Sequence, residues 1–269
     1  LRMSLDPLSD YTDILSDIDI VVHVAARAHV MVEMLENPLK EYRNINTLTT
    51  LSLARQAASR GVKRFIFISS IKVLGEKTKS GHPFTSCDPL NPQDPYGVSK
   101  AEAEIGLQQL TEKSNMEVVI IRPPLVYGKG VKGNFAKLLK LTALSIPLPL
   151  GSINNRRSLV CVENLVDLIC TCLEHQKAKN QIFLVSDDHD LSTPDLLILI
   201  SRAGKHKSRL FKFPISLLSI MLRFIGKSAI YDRLCGSMQV DITHTKTQLN
   251  WRPPFSPEEG LLGCWCHKV

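Results

Sequence analysis

The chain predicts an α/β fold, a doubly wound parallel sheet followed by a smaller, mostly helical lobe. Three observations predict it. Short β-branched runs alternate with helical stretches in the first half, small residues follow the first run directly, and the texture changes beyond Arg122. The first run is Ile18 to Val24, with Ala25 and Ala26 after it, as in a buried parallel strand ending in a tight place. Leu39 to Arg60 carries apolar residues near helical spacing and stops at Gly61, a residue suited to end a helix. Arg64 to Ser69 is the second strand. After a polar, Pro-rich loop, a helix with Ala101, Ile105 and Leu110 on one side runs to Lys113, and Glu117 to Ile121 is the third strand. This order implies right-handed crossovers, with ligands at the carboxyl ends of the strands. Later come helices at Asn134 to Leu144, Glu163 to His175, Leu217 to Ile225, Thr243 to Asn250 and Pro257 to Trp265. Strands fall at Ser158 to Val162 and Gln181 to Val185, and Ser192 caps a further helix with Pro194 in its first turn.

Composition narrows the class. The chain has 269 residues and 30.0 kDa, 44% hydrophobic and 22% charged, with mean hydropathy +0.01, which excludes disordered, collagenous and disulfide-scaffold proteins. Its 33 basic and 26 acidic residues give a net charge of +7 and a pI near 9.0, compatible with anionic ligands. Seven cysteines, with Cys170 and Cys172 and Cys264 and Cys266 as C-x-C pairs, lack zinc-finger spacing and read as thiols of a reducing compartment. The run Pro214 to Ile225 is too short to span a bilayer, which leaves a buried or membrane-surface helix. No targeting peptide precedes the opening polar stretch, and the chain starts at Leu1; a cytoplasmic location is expected.

Chemistry concentrates in Pro95-Tyr96-Gly97-Val98-Ser99-Lys100. A Tyr and a Lys four apart on a helix share one face, so the ammonium can lie near the phenol. A free phenol is a poor base at neutral pH, and a cationic neighbour favours the phenolate. Ser69 and Ser70 end the second strand, where a ligand would sit, and one crossover returns Tyr96 and Lys100 to that edge. Ser70, Tyr96 and Lys100 together form a candidate hydroxyl-handling site.

The sequence resembles the extended short-chain dehydrogenase/reductase family, in particular its NAD-dependent nucleotide-sugar epimerases and dehydratases. The carriers are His23-Val24-Ala25-Ala26, Tyr42-Arg43-Asn44-Ile45-Asn46, Ser69-Ser70 with Val73-Leu74-Gly75, Tyr96 to Lys100, and Arg122-Pro123-Pro124-Leu125-Val126-Tyr127-Gly128. Gly133-Asn134-Phe135, Arg157-Ser158-Leu159-Val160 with Val162-Glu163-Asn164-Leu165, and Val240-Asp241-Ile242 before Leu249-Asn250-Trp251 extend it. The resemblance implies a Rossmann-like fold, with a partial NAD(P)-binding domain over 1–125 and a substrate lobe over 126–269 that sends segments back to it. It implies that Tyr96 is the acid/base, that Lys100 lowers its pKa and holds the nicotinamide ribose, and that Ser70 hydrogen-bonds the C4 oxygen. Ala25, Ala26, Asn46 and Pro124, with Tyr96 and Lys100, would line NAD (or NADP). Asn134, Arg157, Arg233 and Ser70 would hold a UDP-sugar, an arginine fork being apt for a diphosphate. The implied activity is hydride transfer at C4, as a 4-epimerase or 4-keto reductase of surface-polysaccharide pathways, in a homodimer. Leu125 departs from the Asn of glucose/galactose epimerases, and Ser70 with Ile71 and Lys72 departs from the Thr, Asp and Glu of dehydratases.

Gly128-Lys129-Gly130-Val131-Lys132-Gly133 matches G-x-G-x-x-G, yet the sequence reads against a dinucleotide fingerprint. Arg122, Pro123 and Pro124 separate it from the preceding strand, and no acidic residue stands about 20 positions on. The resemblance makes it a sugar-nucleotide loop. The family's opening strand, glycine-rich turn and helix have no counterpart ahead of Ile18. The expectation is an N-terminally truncated sequence lacking roughly 60 residues, at about 30 per βαβ unit. Such a chain would not retain NAD and would aggregate through its exposed sheet edge. The alternative reading is an inactive remnant that binds a sugar nucleotide or a protein.

Overall fold

The computed structural model describes residues 5–28, 37–79, 81–224, 226 and 228–265; Cys266 lies outside them. The first strand, β1, is Ile20–His23. Helix α1 (Pro38–Tyr42) continues through a π-helical segment (Arg43–Thr49) into α2 (Thr50–Ser59). Then follow β2 (Arg64–Ile68), α3 (Pro95–Thr111) and β3 (Glu117–Arg122). The second half holds β4 (Leu125–Tyr127), α4 (Gly133–Ala143), β5 (Leu159–Cys161), α5 (Val162–Glu174), β6 (Ile182–Leu184) and α6 (Thr193–Ala203). It ends in α7 (Ile215–Phe224), α8 (Ser228–Cys235), α9 (Thr243–Leu249) and α10 (Pro257–Gly263).

Four strands form one parallel sheet in the order β1-β2-β3-β6, and β4 pairs with β5 in a second, two-stranded parallel sheet. Period-two alternation explains the layering. Phe65, Phe67, Val118 and Ile120 pack with Ala54, Ala57, Ala103 and Leu107 of α2 and α3 on one face. Ile66, Ile68, Val119 and Ile121 pack with Leu165, Leu168 and Cys172 of α5 and with Leu249 and Trp251 on the other. Both faces of β2 are therefore covered, and all five of its residues are buried. Its one charged residue, Arg64, bonds Glu117 at 2.6 Å and the carbonyls of Cys172 and Leu173 at 2.7 and 2.9 Å, so a buried cation closes the C-terminus of α5.

Three expectations need correction. The face of α3 turned inward carries Lys100, Ala101, Ala103, Glu104 and Leu107, while Ile105 is 44% exposed, because polar groups occupy the inner side where chemistry and a buried ion pair need them. Strand β4 was not foreseen, and it ends directly at Gly128, so a strand does precede the glycine loop; it belongs to the small sheet beside β5 rather than to the main one. Helix α8 was likewise not foreseen, since its short, mixed sequence has no sustained period.

Candidate active site

Parallel register brings the strand ends to one edge. His23 lies opposite Phe67 and Ile68 opposite Ile121, so Ala25, Ser69, Ser70 and Pro123 emerge side by side. The Ser69 amide donates to the Ile121 carbonyl at 2.8 Å and the Ile71 amide to the Pro123 carbonyl at 2.9 Å, which continues the pairing past the strands. Ser70, in an extended conformation, caps the 3-10 turn Ile71–Val73, its hydroxyl accepting from the Lys72 amide at 3.3 Å.

The start of α3 is pressed against that turn. Asp94 caps the helix by accepting from the Gly97 amide at 2.6 Å and also pairs with the Lys72 ammonium. Pro95 fills the first helical turn. A Cβ on Gly97 would stand 2.8 Å from the Lys72 carbonyl oxygen, so only glycine lets helix and turn approach this closely. The approach carries Tyr96 to Ser70.

The Ser70 side chain neighbours the Tyr96 phenol, and Tyr42 meets its ring edge-on at 6.0 Å. Burial pushes the phenol up to about 12, Asp94 and Tyr42 add to the rise, and only Ser70 opposes it. The Lys100 ammonium is turned elsewhere: it donates to the Ile68 carbonyl at 2.8 Å and lies 4.3 Å above the Phe67 ring. Burial draws Lys100 down to about 7, against the pull of Glu104. Shared helical spacing thus places Lys100 beneath the site, but the phenol is raised here rather than lowered as the sequence reading expected.

Residues that sequence reasoning missed surround this pair. His23 stacks on Phe67 at 5.9 Å and its Nε2 is 2.9 Å from the Thr50 hydroxyl; burial, then the charge of Lys100, pushes it down to about 4. It is neutral at pH 7. One turn beyond Lys100, Glu104 pairs with Arg122, the last residue of β3, at 2.6 Å, both almost fully buried. Their signal was available: a charge on an otherwise apolar strand end and a charge four residues after Lys100.

Other expected residues divide. Asn46 is fully buried, its amide bonded to both backbone groups of Arg27 and to the Ser99 hydroxyl, so it braces the loop after β1 against α3. Ala25 and Ala26 are exposed and Pro124 is buried at the same edge. Asn134 stands exposed in the first turn of α4, after the glycine loop. Arg157 donates to the Arg233 carbonyl and is bridged to Leu191 and Met238, which brings the two arginines together in the second half of the chain.

Residues 2–186 match the model of the NAD dependent epimerase/dehydratase family. The chain belongs to that family. A UDP-glucose 4-epimerase of Vibrio cholerae is 52% identical to this family member over 94% of the present chain and 77% of its own length. An N-acetyl-alpha-D-glucosaminyl-diphospho-ditrans,octacis-undecaprenol 4-epimerase of Escherichia coli O157:H7 is 27% identical over 84% and 71%. Among solved structures, a UDP-glucuronic acid 4-epimerase from Bacillus cereus in complex with NAD shares the fold, with a TM-score of 0.77 at 20% identity over 99% and 79%. At the strand edge the Ser69 hydroxyl is buried with no hydrogen-bond partner among the described residues, and Ala25 and Ala26 are exposed, which fits a polar ligand binding there.

Proposed function

We propose that this protein is an NAD-dependent 4-epimerase of a UDP-hexose, with UDP-glucose as the first substrate to test. The observation that carries the reading is the convergence of Ser70, Tyr96 and Lys100 at the carboxyl edge of the parallel sheet, in a chain 52% identical to a UDP-glucose 4-epimerase. NAD, when bound, would supply the hydride acceptor and donor that inversion at C4 requires. Tyr96, once ionised to the phenolate, would take the C4 hydroxyl proton and give it back when the alcohol re-forms. Ser70 holds the same oxygen and orders the phenol. Lys100, held on the Ile68 carbonyl beneath the sheet edge, supplies positive charge and a donor for the cofactor's ribose. Ala25, Ala26 and Pro124 flank the cofactor, and Asn46 fixes the loop that carries the alanines. Arg157 and Arg233 serve the substrate diphosphate, with Asn134 at the mouth. Lobes divided near residue 125, a homodimer and a role in surface-polysaccharide synthesis belong to the same reading.

The deciding experiment incubates the protein with NAD and, separately, UDP-glucose, UDP-N-acetylglucosamine and UDP-glucuronic acid, following C4 inversion by proton NMR. Inversion of one of them supports the reading. Net reduction of a 4-keto sugar with no inversion would replace it with a reductase.

A further inference from the structure

Helix α7 has two apolar faces. Leu218 is buried against Leu150, Ile153 and Leu197, with Leu222 partly buried beside it. On the other side Leu217, Ile220, Met221 and Phe224 recur at i, i+3, i+4 and i+7 and are 49%, 53%, 57% and 90% exposed. An outward stripe of four large apolar side chains is unusual on a protein surface and marks an interaction site.

Charge identifies the partner. Residues 196–231 contain seven Lys and Arg (Arg202, Lys205, Lys207, Arg209, Lys212, Arg223 and Lys227) and no Asp or Glu, so this one segment accounts for the whole +7 excess of the chain. Arg209 and Phe211 pair through their backbones with Leu148, which brings the basic loop alongside the exposed Leu144 and Ile146. Arg223 lies exposed on α7 itself, flanking the stripe. A symmetric second copy would set these cations against one another. A nucleic acid would match the cations and leave the stripe in water. An anionic bilayer surface satisfies both, phosphates meeting the segment's cations and acyl chains the stripe.

We infer that the outer face of α7 docks this protein on anionic phospholipid membranes, as an interfacial helix lying in the plane of the surface. Among the described residues no helix is long and apolar enough to cross a membrane, in keeping with a peripheral attachment. Leu218 and Leu222 pack in the cluster that includes Leu234, next to Arg233, so the docking face and the proposed diphosphate residues share the second half of the chain.

Vesicles of phosphatidylcholine, with and without phosphatidylglycerol, test this by co-sedimentation with the full chain. The wild type should pellet with the phosphatidylglycerol vesicles, and less so as salt rises. Ile220→Ser with Phe224→Ser should weaken binding about tenfold or more, and Lys207→Gln with Arg209→Gln about 25-fold, at roughly fivefold per cation. Both variants should keep the wild-type melting temperature and catalytic rate, since none of these residues is in the core or the catalytic site. Absence of wild-type binding, or equal binding by wild type and both variants, would overturn the inference. So would loss of a dimer on gel filtration in the apolar variant without vesicle binding by the wild type. None of these outcomes bears on the C4 chemistry, which the sugar-nucleotide assay reads separately.

Discussion

Helices α3 and α7 invert the usual burial pattern in opposite directions. On α3, Lys100 and Glu104 are each 1% exposed while Ile105 faces water; on α7, Leu217, Ile220, Met221 and Phe224 face water although Leu218 is buried as a core residue should be. A buried charge is costly unless partnered, and each one on α3 is: Lys100 by the Ile68 carbonyl and the Phe67 ring, Glu104 by Arg122. An exposed apolar stripe needs no internal partner but costs solvation until something covers it. The first inversion is resolved inside the molecule and fixes geometry. The second is resolved outside it and fixes location.

The largest effect expected from breaking α3 is on chemistry. Tyr96→Phe should lower kcat by about a thousandfold, the usual worth of a positioned acid/base, with substrate affinity retained; a steady-state assay of C4 epimerisation measures it, and an unchanged rate would remove Tyr96 from the mechanism. Next comes the ion pair. Arg122→Met leaves Glu104 buried with only Lys100 nearby and should cost roughly 3 kcal/mol in denaturant unfolding. Adding Glu104→Leu should recover most of that loss, because the stranded charge, rather than the missing bond, carries it.

A smaller effect follows from titration of Lys100 in the cofactor-free protein. In the folded chain it is drawn down to about 7 from its ordinary 10.5. Between those values the unfolded chain holds a proton that the folded chain has released, so stability rises with pH across that window. Below about 7 both forms are protonated and the burial cost is felt in full. Lys100→Met should flatten the rise, seen as unfolding midpoints that stop climbing from pH 7 toward pH 10.5. The smallest effect sharpens the contrast: Leu217→Ser, Ile220→Ser or Phe224→Ser should each change stability by less than about 0.5 kcal/mol. A large loss in any of them would mean that the stripe is packed in solution.

Most strands and helices were legible because their signals are local. The run Arg64-Phe65-Ile66-Phe67-Ile68 is buried on both faces and reads as a strand without knowledge of its neighbours. Ser192 and Ser256 announce the starts of α6 and α10 by accepting from backbone amides three residues on. Helix α8 and strand β4 were not legible: one is short and mixed, and the other is three residues long and gains its hydrogen bonds from β5, more than thirty residues away.

For the site, the sequence alone put forward Ser70, Tyr96 and Lys100 as candidates, since their order and their places at a strand end and on one helical face follow from local periodicity. Tertiary structure decided what those residues are made to do. Packing α3 against the Ser70 turn, through Gly97, sets the phenol beside the Ser70 side chain and pushes it up to about 12. Burial over Phe67 turns the lysine toward a carbonyl and draws it down to about 7. Ionisation and hydrogen-bond choice depend on what surrounds a group in three dimensions, and neither spacing nor composition carries that information. The same division holds for α7, whose apolar pattern is plain in the sequence, whereas which half of it faces water is settled by the cluster around Leu218.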